Sequence, residues 1–302
     1  MIKIIFLFLL ISVLYVNAYA QKEGTVHCEG GRIYYRTYGE GKPLLIINGG
    51  PGLNSDGFVS LAKQLSKHNQ TIIYDQRGTG KSAMEKTDST TITMKAMAAD
   101  IECLRKHLHI DEWIILGHSF GGMVASYYAS LYPEKVAALI LSSSGGIDLE
   151  LLSYVGKNVN AKLTAKELDS VNYWTKKINE GDTSYHARLE RGMSLAPAYV
   201  YNRKFIPVIA ERLTQGNSAV NGFIWQDLQK TKFNCTDKLK SFNKPVLIIQ
   251  GKQDIIAEKT ALKAHKVLKN SRLVLMDRCV HYGWLDRPDE YFAEVEKFLI
   301  AN

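Results

Sequence analysis

Hydrophobic residues along this chain follow two spacings, one typical of buried strands and the other of amphipathic helices. The run Pro43–Asn48 (PLLIIN) is apolar up to its last residue and predicts a buried strand. Phe58, Leu61, Ala62 and Leu65 then recur at the i, i+3, i+4, i+7 spacing of a helix that packs one face on a sheet. Because this unit repeats along the chain, we predict an α/β fold with a mostly parallel central sheet flanked by helices.

Further strand patterns extend the sheet on both sides of this first unit. Two early segments flank Gly30 and Gly31 and predict a β-hairpin, and a helix that opens at Pro288 closes the chain. The other predicted strands are Thr25–Cys28, Arg32–Tyr38, Thr71–Tyr74, Trp113–Leu116, Val136–Leu141, Val246–Ile249 and Arg272–Met276.

One long stretch lacks strand patterns altogether. Between Gly146 and about Cys235, helical patterns rich in lysine and aromatic residues take over. We interpret residues 147–235 as a helical cap inserted between two parts of one core, residues 21–146 and 236–302.

The first twenty residues have the pattern of a secretory signal peptide. Lys3 precedes the apolar run Ile4–Val16, and Ala18–Ala20 (AYA) has the small-x-small pattern of a signal peptidase site. A membrane anchor is the alternative, but the run is shorter than the roughly 20 apolar residues that span a bilayer. We predict cleavage before Gln21 and export to the periplasm or the medium, without a stable membrane anchor.

Composition and charge exclude several classes of protein. With 302 residues, of which 46% are hydrophobic and 23% charged, the chain is neither disordered nor a multi-span membrane protein. Removing Lys3 from the 38 basic residues leaves 37 against 30 acidic ones, a formal charge of +7. Lysines and arginines are scattered, with no basic stripe that could follow a phosphate backbone, so we expect no nucleic-acid partner.

A serine between two glycines stands where a predicted strand meets a predicted helix. Gly117-x-Ser119-x-Gly121 follows the strand Trp113–Leu116 and precedes a helix predicted over Met123–Tyr132. In this context the motif forms a sharp turn, the nucleophile elbow, which exposes the serine hydroxyl on strained backbone. A side chain at either glycine would crowd the turn. We therefore predict that Ser119 is a catalytic nucleophile.

Two residues late in the chain fit the partners that such a serine needs, a base to take its proton and an acid to orient that base. After an elbow of this kind the partners follow in the order Ser, Asp, His. Asp254 ends the segment PVLIIQGKQD, and His281 follows the last predicted strand. We predict Asp254 as the acid and His281 as the base, with Asp286 as the fallback acid. A helix N-cap is the alternative role for Asp254.

Two main-chain N–H groups are expected to stabilise the negative charge that develops on a substrate carbonyl oxygen. One is that of Phe120, directly after the nucleophile. The other is assigned to Gly50, in the glycine turn after the strand Pro43–Asn48, because Pro51 has no N–H to offer.

Cysteine spacing gives no sign of a metal site. Cys28, Cys103, Cys235 and Cys279 lie far apart and lack the CxxC or Cys/His spacing of zinc sites. Export permits disulfides and three pairings are open, but we expect small buried thiols. Because Cys279 lies two residues before His281, we also expect bulky thiol reagents to reduce activity.

Three motifs of the predicted core occur together in a known family. They are Asn48–Gly52 (NGGPG), matching HGGPG, Asp75–Ser82 (DQRGTGKS), matching DQRGxGxS, and Asp100–Arg105 (DIECLR) before the elbow. In this combination the chain resembles the prolyl aminopeptidases (proline iminopeptidases), a branch of the α/β hydrolases. The resemblance covers residues 28–146 and 236–300 and little of the cap.

This resemblance implies the α/β-hydrolase fold with an inserted cap, in which Ser119, Asp254 and His281 match the family's nucleophile, acid and base. It also implies an exopeptidase acting on small peptides or amides with a free amino terminus, such as that of proline. In the family a cap glutamate holds the substrate's amine, and Glu190 is the candidate here. Trp225 is a candidate for the apolar pocket wall.

Three departures from the family keep other functions open. Asn48 replaces the histidine of the glycine motif, the elbow is GHSFGG instead of GGSWGS, and the cap lacks the family's tryptophan-glutamate motif. The alternatives are a carboxylesterase or lactonase type of small-molecule hydrolase and a non-catalytic ligand-binding homologue. We expect a small peptide, amide or ester as the partner and no metal or organic cofactor, while the oligomeric state stays open.

Overall fold

The computed structural model describes residues 21–302. The predicted signal peptide, residues 1–20, lies outside the described residues, so cleavage and export stay predictions. Within residues 21–302 no helix is both long and apolar enough to cross a membrane.

The described chain forms one nine-stranded sheet with helices packed on it. Its strands are β1 (Lys22–Cys28), β2 (Gly31–Tyr38), β3 (Lys42–Ile47), β4 (Asn69–Tyr74), β5 (Ala83–Met84), β6 (Trp113–His118), β7 (Val136–Ser142), β8 (Val246–Gly251) and β9 (Ser271–Met276). The order across the sheet is β1-β2-β4-β3-β6-β7-β8-β9, with β5 paired to β2. The predicted hairpin is confirmed as β1 and β2, which pair antiparallel, and the strands from β4 to β9 along this order pair parallel.

Parallel pairing brings the strand ends that matter to one edge of the sheet. In register, Ile47 faces Gly117 and His118 faces Ser142, so β3, β6 and β7 end side by side. Alternate residues of β3 enter opposite hydrophobic clusters, Leu45 on one face and Leu44 on the other. The core therefore has two layers, and the loops after β3, β6, β8 and β9 meet above the same edge.

Helices cover both faces and fill the stretch between β7 and β8. They are α1 (Val59–Leu65), α2 (Met94–His107), α3 (Phe120–Leu131), α4 (Val155–Ala161), α5 (Ala165–Asn179), α6 (Tyr185–Leu195), α7 (Ile206–Leu213), α8 (Ser218–Lys230), α9 (Thr236–Leu239), α10 (Glu258–Val267), α11 (Gly283–Asp286) and α12 (Pro288–Ala301). Helices α4 to α8 occupy the segment that we interpreted as the cap, residues 147–235, while the division into core and cap stays an interpretation.

The cysteines differ from the expectation of four buried thiols. Cys28, at the end of β1, forms a disulfide with Cys103 on α2, and their Cα atoms are 6.0 Å apart. The expectation was wrong for this pair because the packing of α2 against β1 brings together two residues separated by 75 positions. Cys235 and Cys279 are free and buried, as expected.

Candidate active site

Ser119 occupies the sharp turn between β6 and α3. Its φ of 55° and ψ of −120° lie outside the regions that residues with side chains favour. Hydrogen bonds hold this geometry, because its N–H donates to the Ser142 carbonyl at 3.0 Å and its carbonyl accepts from Gly122 and Gly145, both at 2.9 Å. The strained turn is therefore fixed from both neighbouring segments.

The glycines that flank Ser119 have no space for a side chain. A Cβ atom at Gly117 would lie 2.4 Å from the Gly121 carbonyl oxygen, and one at Gly121 would lie 2.1 Å from that of Ile47. The start of α3 thus packs directly on the backbone of β3 and β6. This is the crowding that the GxSxG spacing predicts.

His281 and Asp254 lie against each other beneath the surface. The Nδ1 atom of His281 is 2.8 Å from Oδ1 of Asp254, and the two residues are 3% and 7% exposed. The Ile256 N–H donates to the same carboxylate oxygen at 3.1 Å. Asp254 is not a helix N-cap, since α10 begins only at Glu258 with Ala257 in the capping position. The structure thus brings the predicted acid and base together.

The loops that carry these two residues are tied to each other. The Cys279 N–H donates to the Gln253 side chain at 3.1 Å, and the Gln253 N–H donates to the Cys279 carbonyl at 3.0 Å. The His281 N–H donates to the Tyr199 carbonyl in the cap segment, also at 3.0 Å. The histidine is therefore positioned by β8, β9 and the cap together.

Asp286, the fallback acid, has other partners. Its carboxylate accepts hydrogen bonds from the N–H groups of Tyr201, Asn202 and Val280 at 2.9 to 3.0 Å. It joins the cap segment to the loop before His281. This geometry fits loop support and leaves Asp254 as the candidate acid.

The glycine turn after β3 stands directly beside Ser119. A Cβ atom at Gly49 would lie 2.6 Å from that of Ser119, and Gly50 takes a φ of +72°, where glycine is favoured. Asn48, in place of the family's histidine, donates from Nδ2 to the Leu53 carbonyl at 3.0 Å and so closes this turn. Phe120, which follows Ser119, is the first residue of α3, where a helix leaves its own N–H groups unused.

The DQRGTGKS motif supports this turn from beneath. Gln76 donates to the Asn48 carbonyl at 2.8 Å, and the Asp75 carboxylate accepts from the N–H and the hydroxyl of Ser55 at 2.9 and 2.6 Å. Arg77 forms a buried bidentate pair with Asp100, both N···O distances being 2.7 Å. The motif therefore acts as scaffolding for the glycine turn.

A cavity of about 160 Å³ joins Ser119, His281 and Gly50. Its other walls are mostly apolar or aromatic: Pro51, Leu53, His118, Phe120, Met123, Gly145, Leu151, Val155, Tyr199, Leu213, Trp225, Ile255, Ile256 and Tyr282. Among the residues that the structure describes, no acidic side chain lines it. An engineered cavity of similar size, about 150 Å³, holds a benzene-sized ligand.

The two residues predicted to bind substrate lie in different places. Trp225 on α8 lines the cavity, and its ring is 6.5 Å from that of Phe120. Glu190 on α6 is half-buried and does not line the cavity, and its carbonyl accepts from the Ser194 hydroxyl at 2.9 Å. In this geometry Glu190 is not in position to meet a substrate amine at Ser119.

Electrostatics around the cavity favour neutral side chains. His118 packs against His281 with ring centroids 4.7 Å apart, and burial, followed by the nearby charges of His281 and Arg212, lowers the pKa of His118 well below its usual value. Burial also raises the pKa of Tyr199 to about 12. Both groups are uncharged at neutral pH, so the cavity wall is predominantly neutral.

Arg212 is a residue near the site that sequence analysis missed. It lies on α7 in the cap segment and donates to the Gly49 carbonyl at 2.7 Å. No motif marks it, because the contact spans 163 positions and depends on how α7 packs over the glycine turn.

Within residues 21–302, no group of three His, Cys, Asp or Glu side chains is arranged to hold a metal ion.

Comparisons with known proteins agree with this architecture. The profile of the alpha/beta hydrolase fold family matches residues 42–288. The proline iminopeptidase of Clostridioides difficile (strain 630) is 30% identical over 302 residues, which cover 93% of this chain and 98% of that protein. The sequence resemblance to this branch is therefore confirmed.

Two solved structures show the same fold. An alpha/beta fold family hydrolase from Bacillus anthracis superposes with a TM-score of 0.76 and 19% identity, covering 92% of this chain and 99% of its own. Est816, an N-acyl homoserine lactone degrading enzyme, superposes with a TM-score of 0.67 and 20% identity, covering 91% and 100%. At sequence identities this low, the two structures show a common fold and nothing more specific.

Proposed function

The chain belongs to the α/β-hydrolase fold family and is a hydrolase, and on that premise we propose that it works through an acyl-enzyme at Ser119. The observation that carries the proposal is the buried contact between His281 and Asp254, which lies beside the same cavity as Ser119. In this arrangement Ser119 is the nucleophile, His281 the base and Asp254 the acid that orients the base.

The proposed reaction has two stages. The Ser119 hydroxyl attacks the substrate carbonyl and passes its proton to Nε2 of His281, whose Nδ1 faces Asp254. The tetrahedral intermediate collapses, the acyl group stays on Ser119, and His281 returns the proton to the leaving alcohol or amine. Water, deprotonated by His281, then attacks the ester and releases the acid.

In both stages negative charge develops on the substrate carbonyl oxygen, and N–H donors are needed to stabilise it. We assign this role to the N–H groups of Phe120 and Gly50, two residues that line the cavity together with Ser119. The position of Phe120 at the helix start adds the favourable end of the α3 dipole.

The cavity favours substrates that have a small, uncharged and apolar acyl group. A volume of about 160 Å³ suits an acyl group of a few carbon atoms, and the apolar walls offer no carboxylate within the described residues. An ammonium group would lose its water there without a counter-ion, which is costly. Esters, lactones and neutral amides therefore fit best, a class that includes the lactone chemistry named for Est816.

A prolyl aminopeptidase is the second candidate, favoured by one observation. The similar proteins include proline iminopeptidases that match nearly the whole chain, at 28–30% identity. A prolyl group also has a suitable size for the cavity. This candidate needs a carboxylate to approach the substrate amine, which Glu190 does not do in the described geometry.

Hydrolysis by the chain from Gln21 onward separates the two candidates. The substrates are p-nitrophenyl acetate and butyrate, proline and alanine p-nitroanilides, and the anilides with blocked amines. Turnover of the esters and blocked anilides supports the neutral acyl class, whereas turnover of free-amine anilides alone establishes the aminopeptidase. Ser119→Ala must abolish either activity, and undiminished turnover by this variant would refute the acyl-enzyme.

The cavity wall offers a second test of the same proposal. Trp225→Ala should widen the pocket and shift the preference from acetate and butyrate towards longer esters. Tyr173→Ala is the matched control, because this cap aromatic is 54% exposed and lies outside the cavity. An unchanged chain-length preference in Trp225→Ala would show that acyl groups bind elsewhere.

We also propose that the protein is exported with its signal peptide removed. The sequence pattern of residues 1–20 motivates this, and the Cys28–Cys103 disulfide is in keeping with an oxidising compartment. Mass spectrometry of the protein recovered from its native cells tests it. An amino terminus at Gln21 is expected, and an intact amino terminus at Met1 would contradict export by cleavage.

A further inference from the structure

The glycine turn beside Ser119 is held from the cap side by one buried arginine. Arg212 on α7 is 3% exposed, and its Nη2 donates to the Gly49 carbonyl at 2.7 Å. Its Nη1 lies 3.4 Å from the Asn54 carbonyl, and its guanidinium lies over the Phe58 ring, 4.7 Å from the centroid. Within residues 21–302 its hydrogen bonds go to main-chain carbonyls and none goes to a carboxylate.

A guanidinium in this position has electrostatic consequences. Because no carboxylate of the described residues hydrogen-bonds to the guanidinium, its charge is not neutralised locally and its field reaches neighbouring groups. Burying such a charge is also unfavourable for folding. His118, which packs on the same Phe58 ring, has its pKa lowered in part by this charge. Arg212 is thus a cation of the cap segment whose field extends into the candidate active site.

The carbonyl that Arg212 holds belongs to the peptide that joins Gly49 to Gly50. A trans peptide is planar, and its C=O and N–H point in opposite directions. With the Gly49 oxygen facing Arg212, the Gly50 N–H must point away from α7. Gly50 borders the cavity that contains Ser119. Gly49 packs so closely on Ser119 that a Cβ atom at Gly49 would lie 2.6 Å from the Cβ atom of Ser119.

A peptide between two glycines is the least restrained kind of peptide in a chain. Neither residue has a Cβ atom to limit φ and ψ, so the two residues themselves offer little steric resistance to rotation of the peptide plane. Such a rotation would reverse the direction of the Gly50 N–H. Two hydrogen bonds to the Gly49 carbonyl oppose it, a short one of 2.7 Å from buried Arg212 and a longer one of 3.2 Å from Nδ2 of Asn48.

We propose that Arg212 is a positioning residue for the oxyanion hole: it locks and polarises the Gly49–Gly50 peptide so that the Gly50 N–H serves the reacting carbonyl. The inference rests on the proposed function, in which Gly50 is an oxyanion donor. The charge-assisted hydrogen bond draws electron density from the peptide and makes its N–H a stronger donor. Through α7, the cap segment takes part in transition-state stabilisation as well as enclosing the substrate.

The test compares Arg212→Met and Arg212→Lys with Arg203→Met. Arg203 is the matched control because it also lies in the cap segment and pairs with Glu167, away from the glycine turn. Each variant is assayed with p-nitrophenyl butyrate for kcat and KM, and for inhibition by butylboronic acid, which forms a tetrahedral adduct with a serine nucleophile. Ser119→Ala is assayed beside them.

If Arg212 has a positioning role, its substitution should weaken stabilisation of the transition state and leave substrate binding almost unchanged. In Arg212→Met, kcat should fall about 10- to 100-fold with KM changed less than about threefold, and the boronate inhibition constant should rise in parallel with the loss. Arg212→Lys keeps the charge and one donor and should recover part of kcat. Arg203→Met should match the unaltered protein in kcat, KM and boronate binding.

Each contrary result has a separate meaning. Unaltered kcat and boronate binding in folded Arg212→Met, or a change in KM alone, would overturn the positioning role while inactivity of Ser119→Ala upholds the proposed function. Undiminished turnover by Ser119→Ala would overturn both. If near-ultraviolet circular dichroism shows that Arg212→Met does not fold, Arg212→Lys decides, with kcat expected to fall about three- to tenfold and unaltered kcat overturning the inference.

Discussion

The Nδ1 atom of His281 lies 2.8 Å from Oδ1 of Asp254, although the two residues are 27 positions apart. They meet because β8 and β9 are parallel neighbours whose carboxyl ends lie at the same edge of the sheet. Both side chains are buried, so the contact is shielded from water and from salt. Their environment thus directs one imidazole nitrogen towards a carboxylate, as the proposed base requires.

The two aspartates near His281 should respond differently to the same substitution. Asp254→Asn is expected to lower kcat by about 10²- to 10⁴-fold, because the amide no longer stabilises the protonated imidazole. Asp286→Asn should lower the free energy of unfolding by about 1–3 kcal/mol, because the carboxylate accepts from three main-chain N–H groups. Steady-state kinetics and urea unfolding measure the two effects, and a larger kcat loss in Asp286→Asn would reverse the assignment of the acid.

The elbow should not tolerate a methyl group at its second glycine. Gly121→Ala places a Cβ atom 2.1 Å from the Ile47 carbonyl oxygen, so α3 must shift and Ser119 with it. We expect loss of labelling by a fluorophosphonate probe and a lower melting temperature. Gly222→Ala in α8 is the matched control, since nothing lies within 4 Å of its added Cβ atom. Equal labelling of the two variants would contradict the packing described for the elbow.

Buried His118 should make the protein less stable in mild acid. Burial holds the pKa of His118 well below 6.5, the value that the unfolded chain regains. Below about pH 6.5 the unfolded state therefore binds a proton that the folded state does not, and stability falls by up to about 1.4 kcal/mol per pH unit. Above pH 6.5 this contribution is constant.

Urea unfolding between pH 5 and 7.5 measures this effect against His118→Phe. The phenyl ring retains an aromatic group among Phe58, Tyr282 and Trp284 without a titrating nitrogen. The free energy of unfolding should fall less steeply towards pH 5 in this variant. Parallel curves for the two proteins would show that His118 is free to take up a proton in the folded state.

The Cys28–Cys103 disulfide should contribute substantially to stability. Closing a loop of 75 residues lowers the entropy of the unfolded chain by an amount worth about 4.5 kcal/mol at 25 °C. The double variant Cys28→Ser with Cys103→Ser should unfold at lower urea concentration, and reductant should have the same effect on the unaltered protein. Reductant should not shift the double variant, and a shift there would mean that another group is responsible.

The remaining thiols should resist modification while the protein is folded. Cys279 is fully buried, and burial raises the pKa of its thiol, so the reactive thiolate is scarce. Cys235 is 2% exposed, and burial raises its pKa to about 12. We now expect bulky maleimides to leave activity unchanged at neutral pH, in contrast to the sequence-based expectation for Cys279. Mass spectrometry should show labelling of both thiols only in urea, and rapid labelling in buffer would contradict their burial.

Local patterns in the sequence determined the α/β class and most of the strands. The hairpin and the run of parallel strands follow from alternation and apolar runs, and the structure differs from them mainly at the ends, as where β3 ends at Ile47 before Asn48 turns away. The short strand β5 has no pattern of its own, because it consists of two residues that form through pairing with β2. Such pairing is not encoded within the segment itself.

The candidate site was also predictable from the sequence only in part. Ser119, Asp254 and His281 could be named because each lies shortly after the end of a strand, and parallel strands bring their carboxyl ends to one edge of the sheet. The sequence by itself determined this much. Only the tertiary structure decided that Arg212 holds Gly49, that Cys28 pairs with Cys103, and that Glu190 stays outside the cavity. These relations depend on how helices pack on distant segments, which the spacing of residues along a chain does not specify.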